Sequence, residues 1–267
     1  MTGAGNYNRG RRMKVFLFTK KRAAFAALAA AAVLVLCILL SSTGAYAVFY
    51  GGTLRKLPIY SVETAEKKVA ITFDCAWGTE YTDSLLQTLG REGVPATFFM
   101  VQFWAEKYPE YVRKIDEAGC EIGTHSATHS YMSRLSEAEI REELRSSCAA
   151  IEAVTGKKVE LFRAPYGDYD DLLIETAQSM GLYTIQWDVD SLDWKNLSAQ
   201  EIALRIVNRV REGSIILCHN NGLHTAEALP VVLDTLKNKG YTFVTVGELI
   251  VRENYTIDAN GRQHAAA

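Results

Sequence analysis

Cysteine is scarce in this 267-residue chain, with five residues and no C-x2-C pair. That excludes a disulfide-knotted class. Cys37 falls in an apolar segment. Cys75, Cys120, Cys148 and Cys218 are expected to form no disulfide, because a domain of this size does not need one. No glycine-rich phosphate loop follows the first strand of the domain, so no nucleotide cofactor is expected. Acidic residues are absent from residues 1–55, which hold eight basic ones. The remainder then carries 21 basic against 31 acidic side chains, a net charge of −10. A domain that acidic is unsuited to nucleic acid phosphates. The overall composition, 48% apolar and 22% charged, excludes collagen-like and disordered classes.

Charge is also missing from Ala23 to Leu54. At 1.5 Å per residue, a helix over 23–50 covers the ~30 Å hydrocarbon layer of a bilayer. Seven Lys/Arg precede it, which places residues 1–22 in the cytoplasm and the rest outside. The expectation is a single-pass signal anchor in the cell membrane. The alternative is a secreted protein cut after Ala45-Tyr46-Ala47, a small-x-small pattern. The reading of the whole chain is therefore a basic tail (1–22), an anchor (23–50), a linker (51–66), a catalytic-type domain (67–252) and a tail (253–267).

After Pro58, short apolar β-branched runs alternate with helical patterns. Strands are expected over 68–74, 96–101, 121–125, 160–164, 182–189, 214–219 and 241–246. Helices are expected over 81–91, 109–118, 136–154, 170–180, 198–211 and 225–238, with a short one after Val246. Ser136 with Glu139, and Ser198 with Glu201, read as capping boxes. Seven apolar strands alternating with helices argue for α/β architecture with a parallel sheet, either a (β/α) barrel or a doubly wound sheet.

The polar residues of interest share one address. Asp74, His125, Arg163 and His219 end the first, third, fourth and sixth strands. His129 follows the third, and Asp190 and Asp193 follow the fifth. In a parallel barrel the C-terminal strand ends meet on one rim, where active sites form. His125 and His129 are spaced H-x3-H, which on a helical turn puts both imidazoles on one face, within reach of one ion. An Arg at a strand end can orient a carboxylate through bidentate bonds. His224 reads as a solvated loop residue, and His264 as part of the tail.

These strings resemble the NodB-homology polysaccharide deacetylases, carbohydrate esterase family 4. The family carries T-F-D-D, H-S/T-x2-H, R-x-P-Y/F-G, D-x2-D-W and L-x-H in this order. Here they stand as Thr72-Phe73-Asp74-Cys75, His125-Ser126-Ala127-Thr128-His129, Arg163-Ala164-Pro165-Tyr166-Gly167, Asp190-Ser191-Leu192-Asp193-Trp194 and Leu217-Cys218-His219. The stretches Ala76-Trp77-Gly78 and Asn220-Asn221-Gly222, with the N-terminal apolar segment, resemble the sporulation-associated PdaB-like branch.

The resemblance implies a distorted (β/α) barrel and a metal-dependent N-deacetylase. Its substrate is a polymer of N-acetylated amino sugars, peptidoglycan or chitin-like. Asp74 is then the general base, oriented by Arg163. His125 and His129 hold a divalent metal, zinc with cobalt or another divalent ion as alternatives. His219, paired with Asp193, is the general acid. The Tyr166 N–H steadies the oxyanion, and Trp194 and Leu217 wall the acetyl-methyl pocket. The chemistry fits: a divalent ion activates a poor electrophile and its water, a carboxylate takes a proton, and an imidazolium returns one to the leaving amine.

One position departs from the pattern. The family's second Asp, a metal ligand, is Cys75 here. Three alternatives follow: the Cys75 thiolate ligates zinc, Asp74 shifts onto the metal, or the site binds metal weakly and is sluggish or inert. The last alternative makes the protein a glycan-binding or morphogenetic one on the same fold. A third reading is a small-molecule C–N hydrolase.

Overall fold

The computed structural model describes residues 55–266. The basic tail, the anchor read over 23–50 and Cys37 lie outside them. No helix of the described residues is long and apolar enough to cross a membrane.

The central strand is β2 (Lys68–Cys75), flanked by β3 (Thr97–Met100) and β8 (Ile215–His219). The sheet continues through β4 (Glu121–Thr124), β5 (Leu161–Phe162) and β6 (Tyr183–Thr184) on one side and β7 (Val189–Asp190) on the other. The order is β6-β5-β4-β3-β2-β8-β7, with β9 (Thr242–Phe243) against the start of β2. Every one of these pairings is parallel.

The sequence suggests one strand over 182–189. The structure breaks it into β6 and β7, which pair with opposite edges of the sheet. Residues 185–188 carry the chain from one edge to the other, so the sheet curls into a distorted barrel. The helices are α1 (Thr82–Glu92), α2 (Gln102–Lys107), α3 (Pro109–Glu117), α4 (Glu137–Thr155), α5 (Asp171–Ser179), α6 (Ala199–Val207), α7 (Thr225–Asn238) and α8 (Val246–Leu249). Both expected capping boxes form, Ser136 with Glu139 and Ser198 with Glu201. α2 was not expected. It carries Trp104, a fully buried side chain that donates from its indole N–H to the Gly78 carbonyl at 2.7 Å.

Residues 255–265, read as tail, form a second sheet. β10 (Tyr255–Ile257) pairs antiparallel with β11 (Arg262–Ala265), which pairs parallel with β1 (Ser61–Val62). The Gly213 backbone approaches β1 so closely that a Cβ there would stand 1.7 Å from the Val62 carbonyl oxygen. Its φ of +77° also suits glycine.

The period-2 alternation of strands sorts the core into two layers. Val69, Ile71, Phe73 and Cys75 of β2 face the helices, where Phe73 stacks on Phe98 at 5.0 Å. Ala70 belongs to the inner cluster with Phe99, Leu161 and Ile215. Asp74, His125, Arg163 and His219 share this inward parity on β2, on β4 and β5 extended by one residue, and on β8. Strand parity thus aims four ionisable groups at one rim.

Candidate active site

The inward residues open into a cleft of about 610 Å³, lined among others by Asp74, His125, His129, Tyr166, Asp193, Trp194, Leu217 and His219. All the expected site residues line it except Arg163 and Cys75. Arg163 lies fully buried behind Asp74. Trp77, Tyr166 and Trp194 are more than half exposed and form its aromatic lips.

One wall is built on Arg163. Its Nη1 donates to Asp74 Oδ1 at 2.7 Å and to Thr72 Oγ1 at 2.8 Å, and Nη2 to the Gln186 carbonyl at 3.2 Å. The guanidinium lies 4.1 Å over the Phe99 ring, a cation–π contact. Burial alone would raise the Asp74 pKa. The Arg163 charge, followed by His125 and His219, outweighs it and holds the carboxyl below its ordinary value. Asp74 is therefore a carboxylate at neutral pH.

His125 Nδ1 lies 2.8 Å from the Arg163 carbonyl. That nitrogen must carry the proton, so the lone pair sits on Nε2. Nε2 faces Asp74 Oδ2 at 3.5 Å. Burial lowers the His125 pKa, and burial followed by the nearby His125 pushes His129 down to about 4. Both imidazoles are neutral at pH 7 and free to donate lone pairs.

The H-x3-H stretch is not the helical turn that the spacing suggested. It is an irregular loop with left-handed backbone at Ser126 (φ 71°) and His129 (φ 59°), a conformation costing roughly 1–3 kcal/mol at a non-glycine residue. The loop still brings the two rings to 5.0 Å at 72°. His129 lies edge-on between Trp77 and Tyr166, at 5.0 and 4.6 Å.

The opposite wall is built on Asp193, which is fully buried. Its Oδ1 lies 2.7 Å from His219 Nδ1. Its Oδ2 accepts from the His219 backbone N–H and from Thr225 Oγ1, each at 2.7 Å. Burial alone would lower the His219 pKa. The hydrogen bond and charge of Asp193, helped by Asp74 and Asp190, outweigh it and raise the value. A Cβ at Gly222 would stand 2.1 Å from Thr225 Oγ1 and 2.8 Å from Asp193 Oδ2, so this network requires glycine there. Thr225 carried no signal in the sequence beyond opening a helix.

Cys75 packs in the helix-side cluster, as its parity dictates. Burial, then the Asp74 charge, pushes its thiol pKa well above the ordinary value. Cys120, Cys148 and Cys218 are free thiols too. His224 caps α7 beside Glu227, and His264 lies between Glu63 and Asp258, neither lining the cleft.

Among the described residues no three His, Cys, Asp or Glu side chains converge as a ready metal centre. The two imidazoles nonetheless fit a divalent cation. His129 Nδ1 is buried without a hydrogen-bond partner. The His125 lone pair and a carboxylate oxygen face each other with no proton between them. A cation relieves the second condition, and neutral imidazoles suit zinc and its first-row neighbours.

A curled parallel sheet with a carboxylate–arginine pair and a carboxylate–imidazole pair across one strand-end cleft defines an α/β barrel with an acid–base site. The model of a family described as polysaccharide deacetylase matches residues 61–185. A peptidoglycan-N-acetylglucosamine deacetylase of Bacillus cereus is 34% identical over 196 residues, covering 72% of this chain and 92% of that protein. The chain belongs to the polysaccharide deacetylase family. YlxY of Bacillus subtilis is 33% identical over 198 residues, covering 74% of this chain; the chain spans 62% of that protein's length. BA3943 of Bacillus anthracis, a CE4 family pseudoenzyme, matches with a TM-score of 0.71 at 34% identity, over 78% of this chain and 72% of that one. A mutant of BA3943 with restored enzymatic activity matches at the same TM-score and 36% identity, over 73% of this chain and 71% of that one.

Proposed function

We propose that this protein removes acetyl groups hydrolytically from N-acetylated amino sugars of peptidoglycan, with a divalent ion, zinc by preference, held by His125 and His129. One observation carries the reading: an ionised Asp74 and a hydrogen-bonded His219 stand on opposite walls of the same cleft. The bound ion supplies Lewis acidity to the amide carbonyl and acidifies water. Asp74 Oδ2, with Oδ1 fixed by Arg163, accepts the water proton. His219, its pKa raised by Asp193, delivers a proton from Nε2 to the leaving amine. The Tyr166 N–H, on its left-handed turn (φ 60°), is the oxyanion donor. Trp194 and Leu217 enclose the acetyl methyl. The uncharged run over 23–50 supports anchorage in the cell membrane with the domain outside, and secretion after Ala47 is the alternative. The Trp77-Gly78 and Asn220-Asn221-Gly222 strings support a link to sporulation.

A second reading is a glycan-binding protein with little turnover. It is favoured by the Cys75 thiol, which is turned toward the helices where the family has a carboxylate ligand. The experiment is acetate release from peptidoglycan and from N-acetylglucosamine oligomers, with Zn²⁺, Co²⁺ or chelator. Metal-dependent acetate from the wild type, lost in Asp74→Asn, upholds the first reading. No acetate from the wild type together with acetate from Cys75→Asp upholds the second.

A further inference from the structure

The two ends of the His125–His129 loop are held unequally. His125 extends β4, and its Nδ1–H is fixed on the Arg163 carbonyl. His129 has no strand to hold it. Its backbone N–H donates to Ser126 Oγ at 3.0 Å within the loop itself. Both Ser126 and His129 are left-handed, so the loop sits in a conformation that non-glycine residues avoid and that something outside must enforce.

Two outside groups do so: the Gln102 backbone N–H donates to the Ser126 carbonyl at 3.0 Å, and Glu143, on the second turn of α4, holds the middle of the loop. Its Oε2 accepts from the backbone N–H groups of Ala127 at 2.8 Å and Thr128 at 2.9 Å. Its Oε1 accepts from Thr128 Oγ1 at 2.7 Å, and that hydroxyl lies 2.7 Å from Ser130 Oγ. One carboxylate thus binds three donors on two adjacent residues, between the two histidines. The neighbouring arginines are engaged elsewhere, Arg141 with Glu137 and Arg145 with Glu142. A carboxylate answered by peptide N–H groups makes charge-assisted bonds, stronger than neutral ones. α4 is anchored below, where Ile140, Leu144, Ser147 and Ile151 are buried, and Ser147 Oγ bonds Thr124 Oγ1 of β4 at 2.6 Å. The clamp therefore ties the loop to a rigid element.

We propose that Glu143 is a positioning residue for the imidazole pair: it holds the strained loop so that His129 joins His125 on one cation. This rests on the cation reading above, and its test separates the two. The experiment is Co²⁺ titration of the full chain by visible absorption and Zn²⁺ competition against a chelator. Amide hydrogen exchange at Ala127 and Thr128 is measured without metal, and urea unfolding alongside.

For Glu143→Ala, the expected result is faster exchange at both amides and a metal affinity weakened about 10- to 100-fold, the usual effect of removing a group that orients a ligand. The urea midpoint stays close to that of the wild type. Glu143→Gln, which keeps one acceptor oxygen, falls between. Wild-type affinity or wild-type exchange in Glu143→Ala overturns the proposal, as does an affinity loss that merely tracks lost stability. Failure of the wild type itself to bind Co²⁺ or Zn²⁺ defeats the cation reading and the proposal with it. Wild-type binding retained in Glu143→Ala defeats the proposal alone.

Discussion

On one wall of the cleft, Asp193 commits both oxygens to protein donors: the His219 ring, the His219 backbone and Thr225. On the other, Asp74 has one oxygen on Arg163 and the other facing the His125 lone pair at 3.5 Å, while His129 Nδ1 has no partner. Both carboxylates are buried and both have lowered pKa values. The acid wall is complete in the polypeptide alone. The base wall keeps acceptors in excess of donors, and leaving such a group buried costs about 1–3 kcal/mol. The same fold thus makes one half-site that is finished on folding and one that is left open, where the proposed cation would sit.

The largest effect expected from breaking either wall is on turnover. Asp74→Asn removes the acceptor of the water proton, and His219→Ala removes the donor to the amine. Each is expected to lower acetate release by roughly 10²- to 10⁴-fold, the usual contribution of a positioned acid or base. If only one of them matters, the two walls do not act in one reaction. The walls differ in stability as well. Arg163→Met leaves the buried Asp74 charge unpaired and is expected to lower unfolding free energy by about 3–5 kcal/mol, read from urea denaturation. Adding Asp74→Asn to Arg163→Met is expected to restore much of that loss, because no naked charge remains.

Much of this division was readable from the sequence. The alternation of apolar runs and capped helices gave the parallel sheet, and the strand-end positions of Asp74, His125, Arg163 and His219 gave the rim. Other features were not. The run 182–189 sets Thr184, Gln186 and Asp188 between apolar residues, an alternation that reads as one strand, and nothing in that periodicity shows that its two ends pair with opposite edges. β1, β10 and β11 are short or polar and owe their existence to one another, a tertiary effect that local pattern does not carry. α2 has six residues, too few to display a helical period. H-x3-H spacing fits a helical turn as well as a strained loop, and long-range bonds from Glu143, Gln102 and Arg163 decide between them.

The walls should also part with pH. His219 has a raised pKa, so its ion pair with Asp193 contributes stability fully below the ordinary 6.5 and loses it as pH rises through the raised value. Asp74 has a lowered pKa, so its pairing contributes above the ordinary 3.8 and is lost as pH falls through the lowered value. Acetate release, which needs His219 protonated and Asp74 ionised, is expected to decline on the alkaline side at a pH above 6.5. The alkaline limb should vanish in His219→Gln, whatever residual rate remains, and a limb that survives there belongs to another group.

The smallest expected effect is at Cys75. Its side chain belongs to the helix-side cluster that also holds Phe73 and Trp104, and burial raises its thiol pKa, so a small contribution to the base wall is expected. Cys75→Ala is therefore expected to leave Zn²⁺ affinity within about twofold, below 0.5 kcal/mol since about 1.4 kcal/mol is tenfold. It should cost about 1 kcal/mol of stability for the small apolar group removed. A drop in Zn²⁺ affinity of tenfold or more, with a sulfur-to-metal charge-transfer band in the Co²⁺ form of the wild type, would show that the strand end twists the thiol into the cleft. The base wall would then be closed by sulfur, and its contrast with the acid wall would disappear.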